Sequence, residues 1–416
     1  MVSSVLQGRA EQLATDALSW LVDQARPSTG GLAWPNRPSQ DESDPMLYSG
    51  AAGIVLTLLE ANGHFGDERY AELALRGGRG LVAVVDDGWD NSSLYFGLTG
   101  IAVALHAIHE QLGDRDAGAA ARRALDTVRR RFDGHRWGPQ VDLLGGNAGI
   151  ALGALAVGDP DLALAAVTPF VATAEPTRHG VQWETREGRI ARQHHISHGT
   201  LGVAAALTAV ARATNRSDLL ELALAATDDV VSRDEAGPDG FLVAHSDPPD
   251  RPELIDRYNF GWCQGPAGDA QVFRLLQREP GQPRFARLVD RCWYTVTHCG
   301  LPRRLRPGFW DNNGHCCGTA GVLALACDLL VDETGNNGDV GGFADVLVAD
   351  LADRATRDAA GCRWSNVEHR ATPSVLEPRT GWAMGSAGIV RELLRYARID
   401  THRDPGYRVL WPDQPR

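Results

Sequence analysis

At 416 residues, with 43% hydrophobic and 23% charged residues and only 7% aromatics, the chain has the composition of a globular protein with a sizeable core, not of a disordered or fibrous one. A formal charge of -12 and a pI near 5.5 exclude a general binder of nucleic acid or of anionic membrane, since such a surface repels phosphates. No run approaches the roughly 18 to 20 apolar residues of a membrane span, and the opening MVSSVLQGRAEQLATDALSWLV carries charges where a signal peptide is apolar, so a cytoplasmic protein is expected.

The first predicted element is an amphipathic helix over EQLATDALSWLVDQA, and beyond it the chain repeats itself. A Gly-x-x-Gly turn followed by a small apolar run recurs as YSGAAGIVL from 48, YFGLTGIAV from 95, LGGNAGIAL from 144, SHGTLGVAA from 197, WCQGPAGDA from 262, CCGTAGVLA from 316 and AMGSAGIVR from 383. The first glycines, Gly50, Gly97, Gly146, Gly199, Gly265, Gly318 and Gly385, are spaced by 47, 49, 53, 66, 53 and 67 residues, and the two wider gaps place loop insertions before the fifth and seventh repeats. After each turn comes a run rich in Ala, Gly, Leu and Val, apolar nearly all round, such as IALGALAV and VLALACDLL, which predicts a buried helix. Before the turns lie patterns with one polar face, as in RYAELALRGGRGLVAVV, AGAAARRALDTVRRRF, SDLLELALAATDDVVSR and RFARLVDRCWYTVTHC, which predict an outer layer.

Helical hairpins bury their apolar faces only against neighbours, and a closed ring leaves no open end. The expected architecture is therefore all-α, an (α/α)7 toroid of seven inner and seven outer helices, forming one domain over residues 1–416. Strand evidence is weak: no hairpin signal stands out between the helices, although loops such as HSDPPDRPELIDRYN are long.

If each turn opens an inner helix, the residues just before it gather at one end of the ring. They read Tyr48-Ser49, Tyr95-Phe96, Leu144-Gly145, Ser197-His198, Cys263-Gln264, Cys316-Cys317 and Ala383-Met384. Three of the seven cysteines therefore fall in successive repeats at one register. Neighbouring cysteines make a strained disulfide, and the odd count argues against a disulfide framework. Cys263, Cys316 and Cys317 are instead read as ligands of one metal ion per chain, zinc by thiolate preference, with the fourth position open as in a catalytic site. Such a centre suits thiol activation better than water activation. Cys292, Cys299, Cys327 and Cys362 are read as buried hydrophobes.

His198 holds the matching position one repeat earlier and is a candidate proton donor and acceptor, the alternative being a helix-cap role. Asp142, four residues before Gly146, either holds His198 or substrate in place or caps a helix. His194, His195 and His315 lie close by and stay ambiguous.

With its SHG, GWC-x-G and CCG segments and its seven turns, the chain resembles the lanthionine synthetase C-like family, zinc-dependent cyclases of lanthipeptide biosynthesis. The resemblance implies the toroid and addition of a peptide cysteine thiol across dehydroalanine or dehydrobutyrine to form a thioether ring. It also implies zinc on Cys263, Cys316 and Cys317, an acid-base role for His198 and a catalytic aspartate at Asp142. The implied partners are a dehydrated precursor peptide and a separate dehydratase or kinase and lyase, because no such sequence is seen here. Addition of glutathione or another free thiol, or a scaffold without turnover, are the alternatives. Where stand-alone cyclases usually show Cys-His-Gly, this chain has Cys316-Cys317-Gly318, as in certain fused synthetases. Asn259 stands where an arginine is expected, with Arg257 nearby, and Gln264 where an aromatic or His is expected.

Overall fold

The computed structural model describes residues 1–303, 312–332, 340–368 and 371–414. Fourteen helices run through the described residues in strict alternation. They begin with α1 (Ser4–Asp23), α2 (Ala51–Phe65), α3 (Glu68–Asp87), α4 (Leu98–Leu112), α5 (Arg115–Arg130), α6 (Asn147–Val157) and α7 (Pro160–Thr173). They continue with α8 (Thr200–Thr214), α9 (Ser217–Val231), α10 (Pro266–Leu276), α11 (Arg284–His298), α12 (Thr319–Asp332), α13 (Val340–Arg354) and α14 (Ser386–Tyr396). Every even-numbered helix starts at a Gly-x-x-Gly turn, as the repeat predicts.

The odd and even sets differ in what they bury. Along α3, Tyr70, Leu73, Ala74, Gly77, Gly78, Leu81 and Val85 are buried at helical spacing and the opposite face is wet, whereas α8 buries eleven of its fifteen residues. An all-round apolar helix has no face to give to water, so it becomes the inner partner of its hairpin.

The chain packs as two compact units. One comprises Met1–Gly88, Ala104–Ala120 and Gly300–Leu410; the other comprises Trp89–Val103, Ala121–Cys299 and Trp411–Arg416. In the first, α2 pairs with α3 and α12 with α13, while α14 packs against α1, α2 and α12. In the second, the hairpins α6–α7, α8–α9 and α10–α11 stand side by side, with α8 touching both α6 and α10.

Among the described residues, short strands accompany the all-α architecture. Four two-stranded antiparallel sheets are present: β1 (Arg26–Ser28) with β2 (Gly31–Ala33), β3 (Glu175–Pro176) with β4 (Val181–Gln182), β5 (Arg192–Gln193) with β6 (Ser246–Asp247), and β7 (Thr356–Asp358) with β8 (Gly361–Arg363). Strands of two or three residues are too short to show alternation; β2 lies on α3 and β8 on α1. Three of these hairpins end in a buried tryptophan. Trp34, Trp183 and Trp364 donate their indole N–H to the carbonyls of Leu21 (2.8 Å), Phe170 (3.0 Å) and Leu351 (2.8 Å), each in the last turn of an outer helix. Carbonyls there have no partner within the helix, and the indole supplies one.

Candidate metal centre and acid-base pair

The turns that carry the site are built by close backbone approach. A Cβ on Gly265 would lie 2.2 Å from the Asn259 carbonyl oxygen, and one on Gly268 would lie 1.8 Å from that of Trp262. Only glycine admits such approach, which is why both ends of the Gly-x-x-Gly turn are invariant within this repeat.

Backbone hydrogen bonds then tie turn to turn. In one unit the Tyr95 N–H donates to the Leu144 carbonyl, Leu144 to Ser197 and Ser197 to Cys263, each at 3.2 Å. In the other, the Cys316 N–H donates to the Ala383 carbonyl (2.8 Å) and Ala383 to Tyr48 (2.9 Å). Every residue in these chains sits two positions before the first glycine of its turn, so the register read from sequence is a physical belt of peptide groups.

The Sγ atoms of Cys263, Cys316 and Cys317, all buried, lie within 4.8 Å of one another and make, among the described residues, a group that can hold a metal ion. Three thiols at that spacing fit zinc by donor chemistry and leave a tetrahedral ion one position for an exogenous ligand. Cys316 and Cys317 have their sulfurs 3.4 Å apart, and the Tyr48 hydroxyl donates to Cys316 Sγ at 3.3 Å. Cys292, Cys327 and Cys362 are fully buried, as expected. Burial pushes the Cys327 and Cys362 thiols up to about 12 and the Cys292 thiol well above its ordinary range, which makes all three poor nucleophiles. Cys299 departs from expectation: it is only half-buried, and its thiol donates to the Val296 carbonyl at the end of α11.

The His198 Nδ1 lies 2.7 Å from Asp142 Oδ2. The other Asp142 oxygen accepts the Gly145 N–H at 2.6 Å, so this fully buried carboxylate both shapes its own turn and orients the histidine. Arg186 stands 3.7 Å from Asp142, carried there by the pairing of Gln140 with Arg186. Sequence reasoning missed it, since nothing local marks that pairing. With Nδ1 engaged, Nε2 of the partly exposed His198 is the nitrogen left for proton transfer.

A second buried pair joins His195 Nδ1 to both oxygens of Asp269, at 2.9 and 3.0 Å. Burial raises the Asp269 carboxyl, with His195 opposing it. Antiparallel pairing of Gln193 with Ser246 sets His194 beside His245. Burial drives His194 down to about 2, helped by Arg233, and His245 down to about 3, helped by His195 and His198, so both are neutral imidazoles. His315 packs at a tilt of 33° on Trp382, with ring centroids 4.5 Å apart, and lies 3.3 Å from Glu392. Asn259 is a turn residue, its Oδ1 accepting the Gly261 N–H at 2.8 Å. Arg257 is turned outward to Glu235 and the Tyr258 hydroxyl. Gln264 is buried, and its Oε1 has no hydrogen-bond partner among the described residues.

The chain is thus an all-α helical repeat whose turns carry a thiol cluster that could hold a metal ion and a buried His–Asp pair. The chain matches the family model described as "Lanthionine synthetase C-like protein" over residues 41–253 and 251–337, and it belongs to that family. Nisin cyclase is similar in structure at 16% identity, with a TM-score of 0.63 over 90% of this chain and 92% of that one. An inactive variant of the α-1,6-mannanase GH76A of Salegentibacter sp. HEL1_6 is similar at 12% identity, with a TM-score of 0.56 over 94% and 99%. An unsaturated glucuronyl hydrolase specific for heparin gives 13%, 0.52, 95% and 98%. No curated protein sequence matches significantly. These likenesses show the fold, an all-α toroid of paired helices.

Proposed function

We propose that this chain is a zinc-dependent lanthipeptide cyclase, joining peptide cysteine thiols to dehydroalanine or dehydrobutyrine as thioether rings. The observation that carries the reading is the three-thiol cluster, with the His198–Asp142 pair on other turns of the same repeat. Family membership and the fold shared with nisin cyclase support it. Cys263, Cys316 and Cys317 are the residues to hold one zinc ion, which when bound supplies Lewis-acid activation of a thiol.

The remaining work falls to the chain's own groups. Asp142 accepts a hydrogen bond from the His198 Nδ1–H, which holds the proton on that nitrogen and leaves Nε2 as a base for the substrate S–H proton. The sulfur bonds to the β-carbon of the dehydro residue and the double-bond electrons move to the α-carbon. His198 then returns its proton to that carbon, so thiol and alkene combine with nothing left over. The closely packed turns bring the two peptide segments together. No helix among the described residues is long and apolar enough to cross a membrane. A dehydrated peptide supplied by a separate enzyme, in the cytoplasm, completes the reading.

The test is incubation with a dehydrated cysteine-containing peptide, with and without glutathione, followed by mass spectrometry after thiol alkylation. Wild type is expected to protect the peptide cysteine from alkylation without mass gain, and Cys316→Ala to lose both zinc and that protection. Glutathione adducts formed with the peptide cysteine left free would replace cyclisation by free-thiol addition; zinc loss that leaves peptide binding intact and no product from wild type would favour a scaffold.

A further inference from the structure

Three thiolates around one divalent cation leave a net negative charge, which weakens its pull on a fourth ligand compared with a set containing a neutral imidazole. A hydrogen-bond donor aimed at one of the sulfurs offsets that charge, because groups beyond the ligands tune a metal through the ligands. The Tyr48 hydroxyl is such a donor, 3.3 Å from Cys316 Sγ. An ordinary phenol, with a pKa near 10, carries its proton at neutral pH.

The placement is specific. Tyr48 holds the first turn's place in the register, and the Cys316–Ala383–Tyr48 backbone links set the first, sixth and seventh turns side by side. The side chain is only partly buried, so its hydroxyl is not a core group parked on the nearest acceptor. The same sulfur is the one 3.4 Å from Cys317, where two thiolates most need charge withdrawn.

We propose that Tyr48 is a positioning residue of the metal centre, donating its O–H to the Cys316 thiolate and restoring acidity that a third cysteine removes. This rests on the metal reading of Cys263, Cys316 and Cys317. The test loads wild type and Tyr48→Phe with cobalt(II) in place of zinc and reads the sulfur-to-cobalt charge-transfer band. Tyr48→Phe keeps the ring and is expected to keep stoichiometric cobalt, with its band shifted to lower energy because the sulfur orbital rises when the hydrogen bond is lost. An unshifted band in a cobalt-loaded variant overturns the proposal. Wild type that takes up neither cobalt nor zinc overturns the metal reading instead. In that event iodoacetamide labelling of the metal-free protein decides whether Tyr48 acts on Cys316 at all. A Cys316 alkylation rate that changes in Tyr48→Phe relative to that of Cys317 supports the contact, since the hydroxyl then acts on that sulfur alone; an unchanged ratio refutes it.

Discussion

Asp142→Asn isolates the acid-base assignment, because the structure dictates what the new amide must do. The native carboxylate accepts twice, from His198 Nδ1 at 2.7 Å and from the Gly145 N–H at 2.6 Å. An amide has one accepting oxygen and one donating nitrogen. If its oxygen keeps the Gly145 N–H, its NH2 faces His198 Nδ1 and the imidazole proton moves to Nε2, the nitrogen needed as a base. The reverse orientation sets NH2 against a buried N–H, which costs about 1 to 3 kcal/mol, so the tautomer change wins. Loss of the base is worth about 10²- to 10⁴-fold in rate, or about 3 to 5 kcal/mol of transition-state stabilisation. Single-turnover ring formation should fall by that factor with zinc content and thermal midpoint near wild type, and nitrogen NMR should show the His198 proton on Nε2. Wild-type turnover by Asp142→Asn, with the tautomer demonstrably switched, would refute the reasoning.

Acid should destabilise the fold through His194 and His245. Burial lowers their pKa values from the ordinary 6.5 to about 2 and about 3. The unfolded chain therefore takes up protons below about pH 6.5 that the folded chain refuses, and stability falls from there toward pH 3. At pH 5 the loss is about 2 kcal/mol per histidine, read as the difference in urea unfolding free energy between pH 7 and pH 5, and His245→Gln should shrink that difference by about half its two-histidine share; an unchanged difference contradicts the burial argument. Glu60→Gln tests the core of the first unit. Fully buried Glu60 accepts from the Arg398 guanidinium at 2.5 Å and from the Arg408 and Val409 N–H groups at 2.8 and 3.2 Å. Neutralising it leaves the Arg398 charge uncompensated, a loss of about 3 to 5 kcal/mol in denaturant unfolding, and a change below about 1 kcal/mol would mean that the pair is not buried in solution.

Much of this protein is written locally. Seven Gly-x-x-Gly turns, an apolar run after each and an amphipathic run before it are patterns within twenty residues, so helix order and the inner-outer alternation follow from the chain alone. The same register predicted that Cys263, Cys316 and Cys317 share one end of the fold, because equivalent places in a repeat become neighbours once the repeats stack. Other features depend on partners far away in sequence. Asp142 could have been a helix cap; it is the partner of His198 because two turns 56 residues apart are hydrogen-bonded to each other. Asn259, which a family pattern would make an arginine, builds its turn, while Arg257 is drawn to the surface by Glu235. Strands β2 and β8 lie on α3 and α1, Cys299 is left half-buried by where α11 ends, and Tyr48 meets Cys316 across 268 residues. Periodicity decides which face a residue presents, since that is set by backbone geometry within a few turns. Which atom meets it there is decided by packing, which no local pattern contains.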